Sequence, residues 1–176
     1  MNTIADFPRR LGPKRLLALM AAVVVLSMAG ALYFQHVLHL EPCPLCVIQR
    51  VAIVAVGLVA LAGALATGAR GQWLAAVLAG LMAVAGAGVA AWHSWILVFP
   101  PESMSCGRPF EWFHEDFPLA TWLPKLFAGE GDCLKMDWTF LGLAIPHLAL
   151  IAFVLLLAGA LLAAREAGRR TRAGAI

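Results

Sequence analysis

Residues 41–66 read EPCPLCVIQRVAIVAVGLVALAGALA, and this stretch decides the fold. It opens on the pair Cys43-Pro44-Leu45-Cys46, passes Arg50 and runs on as an apolar segment. Roughly 20 apolar residues cross a bilayer as a helix, so the segment reads as a transmembrane span. A dithiol pair therefore stands at the mouth of a span, with a guanidinium one helical turn further in. A Cys-x-x-Cys pair can cycle between thiols and a disulfide. An arginine at a membrane boundary is costly to bury and marks a functional position.

The rest of the chain has the same character. Of its 176 residues, 62% are hydrophobic and 13% charged, against about half and about a quarter in soluble domains. The excess falls in four runs, at about 16–34, 47–66, 73–98 and 140–164. Lipid cannot satisfy open backbone polar groups, so helices are the expected spanning form; the alternating strands of a barrel are absent. The predicted class is an all-α integral membrane protein. It is a single domain over residues 1–176, a four-helix transmembrane bundle with outer loops at about 35–46 and 99–139.

Charge sets the orientation. Arg9, Arg10, Lys14, Arg15, Arg70, Arg165, Arg169, Arg170 and Arg172 all flank the spans on one side. The positive-inside rule makes that side cytoplasmic. Both termini are then cytoplasmic, and Cys43, Cys46, Cys106 and Cys133 all face outward, where disulfides persist. The net charge of +3 reflects topology and gives no reason to invoke nucleic acid. The first apolar run exceeds a usual signal core, so it is expected to remain as a helix despite Ala29-Gly30-Ala31.

Small residues recur every four positions at Ala60, Ala64 and Gly68 and at Ala83, Ala87 and Ala91, a spacing that lets helices approach closely in lipid. Pro146 is expected to kink the fourth span or to mark a late helix start. The long loop interleaves Phe110, Trp112, Phe113, Phe117, Trp122, Leu123, Leu126 and Phe127 with Glu111, Glu115, Asp116 and Lys125. Such a segment suits a short helix lying at the water–lipid interface; a soluble loop with a small private core is the other reading.

The four cysteines allow three pairings. Nearness in sequence favours Cys43 with Cys46 and Cys106 with Cys133. If Cys46 lies in the first turn of its helix, the helix N-terminus favours its thiolate. Arg50, on the same face, adds to that and can hydrogen-bond an acceptor's carbonyl oxygen. A purely structural Cys43–Cys46 bridge closes almost no loop and would stabilise little. A Cys106–Cys133 bridge would contribute about 3–4 kcal/mol in the chain-entropy account. Yet Ser105-Cys106-Gly107 and Gly131-Asp132-Cys133 are expected to be exposed and mobile, as exchange requires. No metal site is expected, because only one cysteine pair has ligand-like spacing. Val47 after Cys46 rules out the c-type haem signature, and no dinucleotide or phosphate motif is present. Electrons are thus expected to leave through a lipid-soluble carrier or another protein. His93, in Trp92-His93-Ser94-Trp95, is placed to donate to a quinone oxygen or to make local hydrogen bonds.

These residues carry a family likeness. Phe34-Gln35-His36, Glu41-Pro42-Cys43-Pro44-Leu45-Cys46 with Arg50, Cys106, Trp122-Leu123-Pro124, Gly131-Asp132-Cys133 and Trp138-Thr139-Phe140-Leu141-Gly142 resemble the bacterial disulfide bond formation protein B (DsbB) family over about residues 16–164. The resemblance implies a multi-pass inner-membrane protein-disulfide oxidoreductase with periplasmic cysteines. It would reoxidise a DsbA-like periplasmic thiol oxidase and pass two electrons to a quinone, ubiquinone or menaquinone. By the same resemblance, Cys106 would capture the partner's thiolate, Cys133 would engage Cys43, and Cys46 would face the quinone beside Arg50. His93 would be near the quinone. Rival readings are a paralogue with a dedicated partner, a relative of the vitamin K epoxide reductases, and a disulfide-stapled membrane scaffold without turnover.

Overall fold

The computed structural model describes residues 3–100, 131–135 and 138–173. Cys106 and the expected interfacial helix lie outside the described residues. Helix α1 covers Thr3–His36, α2 Pro44–Leu65 and α3 Ala69–Val98; a short hairpin pairs β1 (Thr139–Phe140) with β2 (Leu143–Ala144), and α4 covers Ile145–Ala173. Each of the four helices is long and apolar enough to cross a membrane, α1 from Leu11 onward. The helices pack as a ring, α1 on α2, α2 on α3, α3 on α4 and α4 back on α1. Few residues meet across the diagonals.

Local chemistry sets the boundaries. Gly12, at φ 70° and ψ 163°, breaks α1 into two helical pieces, and Pro13 then takes the start of the second, where its missing N–H costs nothing. Helix α2 begins with Pro44 at its first turn, and Cys43 is the N-cap. The fourth span starts later than residue 140. Residues 139–144 form the hairpin, turning through Leu141 (φ 51°) and Gly142 (φ 80°). Positive φ at both turn residues matches the twist of paired strands. Pro146 therefore marks a late helix start and makes no kink. Trp138 packs on Phe34 with ring centroids 4.6 Å apart and stacks on Phe140 at 6.2 Å. These contacts clamp the hairpin to the end of α1.

The core runs along the bundle axis through Leu17, Met20, Val56, Ala60, Ala79, Ala83, Phe153, Leu156 and Ala160. The small-residue stripe of α3 differs from the four-residue spacing read in the sequence. One line of buried positions on α3 runs through Ala76, Ala79, Ala83, Gly86 and Ala90 and on to His93 and Leu97, and Ala91 is exposed. Steps of four drift around a helix of about 3.6 residues per turn, whereas alternating steps of three and four hold one face. Phe153 of α4 fills the notch at Gly86, where any Cβ would overlap its ring.

Gly86→Val should therefore destabilise the bundle by about 1–3 kcal/mol through overpacking. Gly88→Ala, whose Cβ would meet nothing within 4 Å, should leave it unchanged or slightly firmer. Denaturant unfolding in detergent micelles compares the two; equal loss at both sites would contradict this packing.

Candidate dithiol–histidine site

The site forms where the polar residues of α2 and α3 meet at one end of the bundle. Cys43 caps α2, and its sulfur accepts from the Cys46 backbone N–H at 3.4 Å. The cap therefore aims Cys43 Sγ back over the first turn. There it donates to Cys46 Sγ at 3.0 Å. His93, on the buried stripe of α3, brings Nε2 to 3.7 Å from Cys43 Sγ. The same nitrogen lies 3.2 Å from the Cys133 carbonyl oxygen, so Nε2–H donates to that oxygen. Gln49 Nε2 lies 3.2 Å from the other ring nitrogen, Nδ1, and donates to it.

Cys133 reaches this cluster through a close backbone approach. Gly131 N–H donates to Pro42 O at 3.1 Å, and a Cβ on Gly131 would collide with the Glu41 carbonyl. Asp132 Oδ1 accepts from Leu134 N–H at 2.9 Å, which turns the chain. Cys133 is consequently 1% exposed, packed with Cys43, Leu45 and Ile96. The expectation of an exposed, mobile Cys133 is corrected. Gly131 serves close packing against residues 41–42 and not the mobility expected of a glycine-flanked cysteine. The fold sets Cys133 beside Cys43 in one buried cluster; the expected pairing of Cys106 with Cys133 falls on Cys106, outside the described residues.

Hydrogen bonding to Cys133, then to Cys46, together with burial, pushes the Cys43 thiol far up from its ordinary value. The single S–H of Cys43 donates to Cys46 Sγ, and hydrogen bonding through the S–H holds the protonated form, as burial does.

Arg50 points the other way, toward α1. Its Nη1 donates to Gln35 Oε1 at 2.6 Å and Nη2 to Ala31 O at 3.4 Å. These bonds let a guanidinium sit 8% exposed at the edge of an apolar bundle. Arg50 and Cys46 line a cavity of about 290 Å³ between α1, α2 and α4, with Phe34, Pro42, Ile53 and Phe153 among its walls. His93 does not line it. It borders a smaller space of about 60 Å³ with Cys43, Cys46 and Cys133. Among the described cysteines, Cys46 is thus the one that borders an apolar cavity on one side and a thiol–imidazole cluster on the other.

Gln35 and Gln49, to which the sequence pattern assigns no role, are the side-chain partners of Arg50 and His93. A glutamine in an apolar run beside an arginine is itself a signal, since intramembrane polar groups face partners.

The fold and site define a class: a multi-pass helical membrane protein with a buried cysteine cluster beside an apolar cavity. Comparison with known proteins narrows it. The profile described as disulfide bond formation protein DsbB matches residues 13–163. Proteins called Disulfide bond formation protein B are similar over nearly the whole chain. That of Paracidovorax citrulli is 42% identical over 92% of this chain and 93% of its own length. For Verminephrobacter eiseniae the figures are 46%, 93% and 93%. For a Polaromonas species they are 44%, 90% and 95%. The chain belongs to the DsbB family.

In the fully reduced protein, alkylation of Cys43 should stay slow through neutral pH and rise only above the usual thiol range, because the thiolate is the reacting form. Cys133→Ala removes the first cause of the shift and should move that profile to lower pH. Mass-spectrometric labelling rates for Cys43 against pH test this; an unchanged profile in Cys133→Ala would sever the link.

Proposed function

We propose that the chain is a quinone-dependent thiol oxidase that reoxidises a DsbA-type periplasmic dithiol oxidase and so sustains disulfide formation. In this reading it lies in the bacterial inner membrane with both termini cytoplasmic and its cysteines periplasmic. The observation that carries the reading is Cys46 and Arg50 lining one apolar cavity while Cys46 also touches Cys43, which in turn meets Cys133. The cavity suits a flat, apolar, carbonyl-bearing ring: its walls are mostly aromatic and aliphatic, with a few polar groups, Gln49 and Arg50 among them. A quinone would accept two electrons and two protons there. Arg50, anchored by Gln35, would orient a carbonyl oxygen and stabilise negative charge developing on it.

Electron flow then follows the order of the sulfurs. The partner's thiolate attacks Cys106, breaking a Cys106–Cys133 disulfide and releasing Cys133. The partner's second thiol displaces Cys106, leaving the partner oxidised and Cys106 and Cys133 reduced. Cys133, set beside Cys43, attacks a Cys43–Cys46 disulfide at Cys43 and releases Cys46 as the thiolate facing the cavity. Cys106 then displaces Cys43, restoring the loop disulfide. The two electrons now reside on the Cys43–Cys46 dithiol, from which the quinone removes them. A DsbA-type oxidant has a potential of about −120 mV, so thiol exchange from it to ordinary disulfides runs uphill. Fast quinone reduction draws that exchange forward.

Purified protein with reduced DsbA-type partner and ubiquinone or menaquinone tests the proposal. Turnover should be abolished in Cys46→Ser. Arg50→Ala should lower quinone use by about 10–100-fold, the scale of a lost charge-assisted hydrogen bond, with mixed-disulfide formation at Cys106 retained. Unchanged quinone kinetics in Arg50→Ala would remove its assigned role, and no quinone-dependent oxidation by the parent protein would leave the scaffold reading.

A further inference from the structure

His93 lies far in sequence from Cys43 and Cys46, so spacing alone hides a third soft ligand. The fold brings Cys43 Sγ, Cys46 Sγ and an imidazole nitrogen of His93 all within 4.8 Å of one another. We propose that the reduced protein binds one zinc-class cation through Cys43, Cys46 and His93, and that disulfide formation at Cys43 or Cys46 expels it.

The geometry is close to that of a tetrahedral site. Zinc–sulfur bonds of about 2.3 Å and zinc–nitrogen bonds of about 2.0–2.1 Å place ligand atoms about 3.5–3.8 Å apart. Cys43 Sγ and His93 Nε2 stand at 3.7 Å. The two sulfurs, at 3.0 Å, must open by less than about 1 Å, a side-chain rotation at half-buried Cys46. The three ligand residues border a space of about 60 Å³ that Asp132 and Cys133 also line, enough volume for a water as the fourth ligand.

Gln49 makes the imidazole usable in both states. Its amide N–H now donates to Nδ1 while Nε2–H points to the Cys133 carbonyl. Turned over, the same amide presents its oxygen, accepts Nδ1–H and frees the Nε2 lone pair for the cation. A partner on the far nitrogen is the usual means by which a metal-binding histidine is oriented.

Binding is redox-neutral: the cation displaces the protons of Cys43 and Cys46, which leave to solvent, and two sulfur–metal bonds form. No electrons move. The soft donor set selects zinc, cadmium and similar ions and rejects magnesium and calcium. A bound cation would hold both sulfurs as thiolates, Cys46 beside the cavity, yet keep them from forming a disulfide, locking the protein reduced. The site requires only reduced thiols. It therefore stands or falls separately from quinone use, since the thiols can be reduced with a phosphine.

Full-length protein in detergent, stripped of metal and reduced with a phosphine, is titrated with Cd²⁺ by thiolate-to-metal absorption and with Zn²⁺ against a chromophoric chelator. One ion per chain should bind, calcium should not compete, and diamide-oxidised protein should bind none. His93→Ala should weaken binding at least tenfold, His93→Cys should keep it, and Gln49→Leu should weaken it about 10–100-fold. Cys106→Ser should bind normally. Any one of four results would overturn the site: no stoichiometric binding, equal binding by oxidised protein, indifference to His93→Ala with helicity intact, or loss in Cys106→Ser.

Discussion

A buried polar cluster at one end of an apolar bundle is the constraint on which this protein depends. Gln49, Arg50, His93, Cys43 and Cys133 all sit within packed surfaces where water is scarce. An unpaired polar group there costs about 1–3 kcal/mol, and a charged one more. Each is therefore answered: Arg50 by Gln35 and the Ala31 carbonyl, His93 by Gln49 and the Cys133 carbonyl, Cys43 by Cys46 and Cys133. The partners come from α1, α2, α3 and the segment before the hairpin. Satisfying the cluster thus fixes how those elements meet.

That requirement links packing to chemistry. The heptad-like small stripe of α3 lets α4 come close and carries His93 onto the inward face. Gly131 lets residues 131–135 lie against the 41–42 backbone, and Cys133 arrives beside Cys43 as a result. The clamp of Trp138 on Phe34 holds the following hairpin to the same end of α1 that supplies Gln35. The site is an outcome of three separate close approaches, none of them local in sequence.

Cys46 occupies the boundary between two environments. On one side lies an apolar cavity reached by Arg50; on the other, a thiol–imidazole cluster. A sulfur so placed contacts a neighbouring cysteine while it also lines the apolar cavity.

The number of spans, the four-helix bundle and the candidate sulfurs were all legible in the chain, because hydropathy over about 20 residues and Cys-x-x-Cys spacing are local properties. So was Arg50, since a charge in an apolar run is conspicuous. Helix ends were less so. The start of α4 at Ile145 depends on a hairpin whose turn uses Leu141 at positive φ, a conformation that composition does not announce. Tertiary structure alone decided that Cys133 is buried against Cys43, that Gln35 anchors Arg50, and that His93 faces the thiols and not the larger cavity. Those facts arise from helix rotation and from backbone approach between distant segments. Residue type fixes what a side chain can do, and only the packed bundle fixes what it meets.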